Sequence, residues 1–201
     1  MILSQKKLWN VLLGALTVSL VYAILRYNIF NDVPWKDLPI FVLNKAVSLT
    51  IIILLFYDQF KKNEIAKSKS NLWFTVLILT MLHFMLSTAI LIPDYFGKFY
   101  DANQLNIVGS LSLLFGILAF VGFLTVAIIR IENKLNTNLS AFRSHYAKIK
   151  LFNFICIGTH LFVMGISGWL IPSDWPAYLP PISLIAFVLL LSSIFILIIR
   201  K

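Results

Sequence analysis

Hydrophobic positions in this chain gather into six long, nearly unbroken blocks separated by short polar stretches. They lie at about 8–29, 38–57, 72–92, 105–131, 151–171 and 179–199. Each is long enough to cross the roughly 30 Å hydrocarbon core of a bilayer, which takes about 20 helical residues. A lone span can satisfy its backbone in lipid only as a helix, and nothing shows the short alternating strands of a barrel. The pattern predicts an all-α polytopic membrane protein, one six-helix transmembrane domain over residues 1–201 with the lipid bilayer as its first partner.

The polar stretches give the bundle a direction. Lys6 and Lys7, the second connection (Lys61, Lys62, Lys67, Lys69), the fourth (Arg130, Lys134, Arg143, Lys148, Lys150) and the end (Arg200, Lys201) hold thirteen of the seventeen basic residues. The opposite side carries Arg26, Lys36 and Lys98 together with Asp32, Asp37, Asp94, Asp101 and Asp174. Basic residues are retained on the cytoplasmic side, so both termini are expected there, in a bacterial cytoplasmic (inner) membrane crossed several times. Lys6 and Lys7 precede an apolar stretch with no A-x-A-like end, which reads as a retained first span. Trp9 and Trp73 at inner ends, and Trp35, Trp169 and Trp175 at outer ends, are expected as interfacial anchors. The longest connection, about Glu132 to Lys150, reads as a surface helix on anionic lipid or as a docking patch for a cytoplasmic partner.

Composition agrees. The 201 residues are 60% hydrophobic and 12% charged, with a mean hydropathy of +0.89. A soluble domain is about a quarter charged. The formal net charge of +9 is accounted for by cytoplasmic loops, and nucleic acid is not an expected partner. The single Cys156 lies within an apolar run and reads as a packing residue; one cysteine makes no intrachain disulfide, and no C-x-x-C-H haem attachment is present.

Against this background two histidines stand out. His83 lies twelve residues beyond Asn71 and His160 ten beyond Lys150, each counted from the inner start of its span. Both spans run from inside to outside, so at 1.5 Å per residue the imidazoles differ in depth by only about 3 Å, near the membrane centre. An ionisable side chain at that depth marks a functional-site hypothesis. Two histidines at matched depth on parallel, non-adjacent helices are what a b-type haem takes as axial ligands. Zinc or copper would want a further ligand, and a proton relay a buried carboxylate; neither lies at that depth. Hydrogen bonding between neighbouring helices is the plainer alternative.

Other residues bear on the same site. Gly109, Ser112 and Gly116 share one face of the fourth span, and Gly158, Gly165 and Gly168 surround His160 on the fifth, allowing close approach of a macrocycle or of another helix. Lys45, beside Asn44, lies about seven residues inside the second span, where it either snorkels outward or meets an anion such as a haem propionate. Arg26, near the outer end of the first span, is a second propionate candidate. His145 belongs to the basic inner connection and reads as solvated.

With six spans, Leu79-Thr80-Met81-Leu82-His83-Phe84 on the third and His160-Leu161-Phe162 on the fifth, the chain resembles the ferric reductase-like transmembrane family. The resemblance implies haem b ligated by His83 and His160 and electron transfer across the membrane. Two-haem members carry a second histidine about thirteen residues away on each helix. Here Ser70 and Phe96 flank His83 at that distance, and Ala147 and Ser173 flank His160, which restricts the expectation to one haem. No Gly-rich dinucleotide loop is present, so electrons are expected from a quinone or a cytoplasmic reductase and pass to a redox partner at the outer face. Two readings stay open: a single-haem electron-transfer subunit of an oxidoreductase system, and a non-catalytic subunit that binds or anchors a larger membrane complex. A small transporter is disfavoured by the lack of buried carboxylates and of broken mid-span helices.

Overall fold

A computed structural model of the chain describes residues 5–60, 66–135 and 140–199. Within them lie helices α1 (Gln5–Ile24), α2 (Leu43–Phe60), α3 (Ala66–Ala89), the single-turn α4 (Pro93–Phe96), α5 (Ile107–Leu135), α6 (Ser140–Trp169) and α7 (Ile182–Ile199). Six helical stretches are long and apolar enough to cross a membrane: Lys6–Ile29, Trp35–Phe60, Asn71–Ala89, Ile107–Ile129, His145–Trp169 and Pro176–Ile199. The all-α, multi-pass architecture read from the sequence is therefore the one observed. Large apolar side chains such as Val18, Ile78, Leu114, Phe152, Val188 and Phe195 point outward, as lipid-facing residues do.

Prolines set several boundaries. The third span stops at Ala89, three residues short of the sequence expectation, because Ile92 precedes Pro93 and takes an extended conformation (φ −135°, ψ 158°). Pro93 then opens α4, and Pro180-Pro181 precede α7. The outer connection after α4 holds a minimal antiparallel pair, Tyr100–Asp101 with Gln104–Leu105, whose turn uses Ala102 at φ 56°. At the outer ends of the first two spans the helix widens into π turns, Leu25–Ile29 and Leu38–Val42.

The basic connection differs from expectation. Described residues up to Leu135 continue α5 and those from Ser140 onward already belong to α6, so among the described residues no separate surface helix lies there. The two helices run on because their sequences contain nothing that breaks them: from Phe123 to Ile157 the chain holds neither Pro nor Gly. Of the basic residues that gave the bundle its direction, Lys61, Lys62, Arg200 and Lys201 lie outside the described residues, as do the side chains of Lys67, Lys69, Arg130, Lys134 and Arg143.

Helix neighbours define the architecture. α2 packs on α1, α3 and α7; α3 packs on α5, α5 on α6, and α6 on α7. Five helices thus close a ring in the order α2–α3–α5–α6–α7, with α1 outside it against α2. In this ring α3 and α6 are not neighbours, being separated by α5. At the inner end, the end where α3 and α6 begin, Lys150 of α6 makes a buried ion pair with Asp58 of α2 (Nζ–Oδ2 3.0 Å), so a carboxylate is buried where the sequence reading expected none.

Two tryptophans depart from the anchor role. Trp9 and Trp35 are exposed, as anchors should be, but Trp73 is only 1% exposed and packs inside the bundle beside Phe123. Trp169 is also buried, its Nε1 donating to Ser183 Oγ of α7 at 3.0 Å. Both lie at span ends, as read from the sequence, but on the inward face, which depth alone does not determine. Cys156 is buried and free, in keeping with a packing role.

Candidate functional site

The ring encloses a cavity of about 340 Å³, within the size range of small-molecule and cofactor sites. His83 and His160 both line it, one from α3 and one from α6. Each imidazole is held from the next helix in the ring. His83 Nδ1 lies 2.6 Å from Asn44 Oδ1 of α2. His160 Nδ1 lies 2.8 Å from the main-chain carbonyl of Ser112 on α5, with Ser112 Oγ at 3.4 Å. A carbonyl oxygen only accepts, so Nδ1 of His160 carries the proton; with the Asn44 amide oxygen towards His83, the same holds there. In both rings the lone pair is then on Nε2, and among the described residues no hydrogen bond reaches either Nε2. A metal-binding histidine is ordinarily oriented in this way, by donating its other nitrogen to a carbonyl or amide oxygen.

Asn44 is itself fixed. Its Nδ2 donates to Ser87 Oγ at 3.1 Å, one helical turn along α3 from His83. Thr80, His83 and Ser87 all line the cavity from α3, while Asn44, Lys45 and Ser48 do so from α2. The spacing of Thr80, His83 and Ser87 at i, i+3 and i+7 puts them on one helical face, a signal present in the sequence. That Asn44 would be the group facing them was not legible, because it depends on which helix packs beside α3.

Small residues shape the walls next to His160. A Cβ on Gly116 would come within 3.2 Å of His160 Nδ1, and one on Gly109 within 2.6 Å of the Phe99 carbonyl oxygen. The face of Gly109, Ser112 and Gly116 predicted on the fourth span thus turns towards the cavity. Gly165 and Gly168 line it as well, whereas Gly158 abuts Leu190 and Phe187 of α7. The remaining wall is chiefly apolar, with Phe84 stacked on Phe120 at 4.6 Å between centroids.

Two cations stand at the outer end. Lys45 is half-buried, its Nζ 4.6 Å from the Phe96 ring centroid and 5.2 Å from that of Phe41. No carboxylate among the described residues pairs with it. Lys98, which sequence reasoning passed over, also lines the cavity, and its ammonium donates to the Met164 carbonyl. Although the residue is exposed as a whole, desolvation of this inward-turned ammonium lowers its pKa below the ordinary lysine value of 10.5. Nothing in the sequence signalled Lys98, since the fold of the outer connection brings it over the cavity.

Arg26 is placed differently from its sequence expectation. It is buried but is not among the cavity-lining residues; its guanidinium donates to the Leu179 carbonyl and lies 5.6 Å over Tyr27. The adjacent carbonyl, Pro180, accepts from Tyr22 OH at 2.6 Å. Arg26 therefore fastens α1 to the segment before α7, a role set by the carbonyls of a proline-rich turn. His145 is exposed, in line with the solvated position expected of it.

Among the described residues no group of three or more His, Cys, Asp or Glu is gathered. The donor set at the cavity is two imidazoles from non-adjacent helices, which suits an axially ligated macrocycle better than a bare metal ion. Comparison of the chain with protein-family models, with curated proteins and with solved structures finds no match.

Proposed function

We propose that this chain is a membrane b-type cytochrome that holds one haem through His83 and His160. It relays electrons between a quinone or a cytoplasmic reductase and a redox partner at the outer face. The observation that carries this reading is the pair of imidazoles that line one cavity from two non-adjacent helices, each tied at Nδ1 to a neighbouring helix and with Nε2 left over. A haem bound there supplies one-electron chemistry at its iron.

The chain's own residues do the rest. Asn44 and the Ser112 carbonyl fix the tautomer and orientation of the two ligands and raise their basicity. Apolar walls such as Phe84 and Phe120 exclude water, which with the axial ligands governs the potential. Gly116 leaves room beside the His160 ring. Lys45 and Lys98 put positive charge at the outer end, suited to propionate carboxylates. Arg26 has no part in this scheme. On the distribution of basic residues, the protein sits in a bacterial cytoplasmic membrane with both termini inside.

The test is an absorption spectrum of the purified protein, oxidised and then reduced with dithionite. Wild-type protein is expected to give a b-type difference spectrum, and His83→Ala or His160→Ala to abolish it. A folded wild-type protein grown with ample haem and lacking any such spectrum sinks the proposal. Pigment-free protein that co-purifies with another membrane complex at fixed stoichiometry points instead to a non-catalytic anchoring subunit.

A further inference from the structure

The inner third of the bundle carries a second polar cluster, unconnected with the cavity. Lys150 Nζ lies 3.0 Å from Asp58 Oδ2, 3.2 Å from Gln59 Oε1 and 5.5 Å from the Trp73 ring centroid. One turn further along α6, Asn153 is fully buried and pressed against α5 at Gly122, where an added Cβ would strike its amide oxygen. Trp73 in turn packs on Phe123, the neighbour of Gly122. Helices α2, α3, α5 and α6 therefore bring these side chains to one level.

Several of their polar atoms are buried with no hydrogen-bond partner among the described residues: Asp58 Oδ1, Trp73 Nε1, and both Oδ1 and Nδ2 of Asn153. Buried polar groups in folded proteins are nearly always hydrogen-bonded, and where protein does not supply the partner, ordered water does. The set is matched for that purpose, with Trp73 a donor, Asp58 an acceptor and Asn153 both. In a bilayer the demand is stronger, because lipid offers no substitute.

We infer that these residues form an internal water site, holding one or more water molecules between Asp58, Trp73 and Asn153. The site lies nearer the inner end, Lys150 being only five residues along α6 from the exposed His145. It goes no further outward: Ile157, one turn beyond Asn153, and Phe123 belong to the apolar lining of the cavity. The bundle thus has a hydrated inner site and an apolar cavity in series, separated by a hydrophobic septum. None of this depends on haem being the occupant of the cavity.

Radiolytic hydroxyl-radical footprinting of the intact protein in nanodiscs tests the site, because radicals generated from bound water label the side chains beside it. Trp73, although 1% exposed, is expected to be oxidised at least as fast as Trp169, which is 8% exposed but has its Nε1 bonded to Ser183. Protection of Trp73 to background overturns the inference. In Asn153→Leu, which removes two of the unpartnered polar atoms at similar size, Trp73 labelling is expected to fall about fivefold or more with Trp169 unchanged. Unchanged Trp73 labelling in a folded Asn153→Leu protein also overturns it. Should that variant not fold, the wild-type measurement decides alone.

Discussion

The two histidines are held alike but not by the same kind of group. His160 leans on a main-chain carbonyl, which no side-chain substitution removes, whereas His83 leans on the Asn44 side chain. On the proposed haem-binding function, Asn44→Leu should therefore weaken haem retention by about 10–100-fold, the usual effect of losing the group that orients a metal-binding histidine. Ser112→Ala should leave retention nearly unchanged, because the carbonyl bond persists. Haem titration of the two variants followed by absorbance separates these outcomes; equal loss in both contradicts the assignment of partners. Gly116→Val is expected to act from the other side, by displacing the His160 ring, whose Nδ1 would lie only 3.2 Å from an added Cβ. Its predicted signature is a weakened or altered haem spectrum with the helical content retained.

Between elements, the fold is fastened by polar contacts at the two ends of the bundle. At the inner end Lys150 and Asp58 are both nearly buried, so removing Lys150 strips the Asp58 carboxylate of its paired charge. Lys150→Met should cost about 3–5 kcal/mol, and adding Asp58→Leu should restore much of it, since replacing both members with apolar groups is often neutral. Thermal unfolding in detergent measures both steps, and a Lys150→Met protein as stable as wild type contradicts the pairing. At the outer end Tyr95 OH donates to Asp37 Oδ1 at 2.9 Å, joining α4 to the start of the second span. That hydrogen bond, helped by desolvation and the nearby carboxylates, raises the tyrosine pKa above its ordinary 10.0. A raised folded-state pKa means the contribution is complete below the ordinary value and is lost as the pH climbs through the folded one. The stability difference between wild type and Tyr95→Phe should accordingly be constant from about pH 7 to 9 and shrink above about pH 10. A difference that grows with pH there has the wrong sign for this contact.

For the whole molecule, the decisive feature is a closed ring of five helices with the sixth span, α1, outside it. A ring leaves space on its axis, and helices not adjacent to one another can then present side chains to a common guest. Orientation in the membrane belongs to this scale too. The distribution of basic residues along the sequence predicts that both termini face the cytoplasm. A green fluorescent protein fused after Lys201 should fluoresce, and alkaline phosphatase fused there should stay inactive; the reverse pattern contradicts the assignment.

Hydropathy by itself determined the number of spans, their approximate limits and the positions of His83 and His160 along them, because burial in lipid is a one-dimensional constraint along each helix. The Gly109, Ser112 and Gly116 face was legible for the same reason, being a matter of helical spacing. Which faces meet is a two-dimensional question that spacing within a helix does not answer. Only the tertiary structure decided that Asn44 and Ser112 hold the histidines, that Lys98 closes over the cavity while Arg26 is engaged by Leu179, and that Trp73 turns inward among polar atoms. Lipid offers little to distinguish one rotation of a helix from another, so packing and hydrogen bonding between helices make that choice.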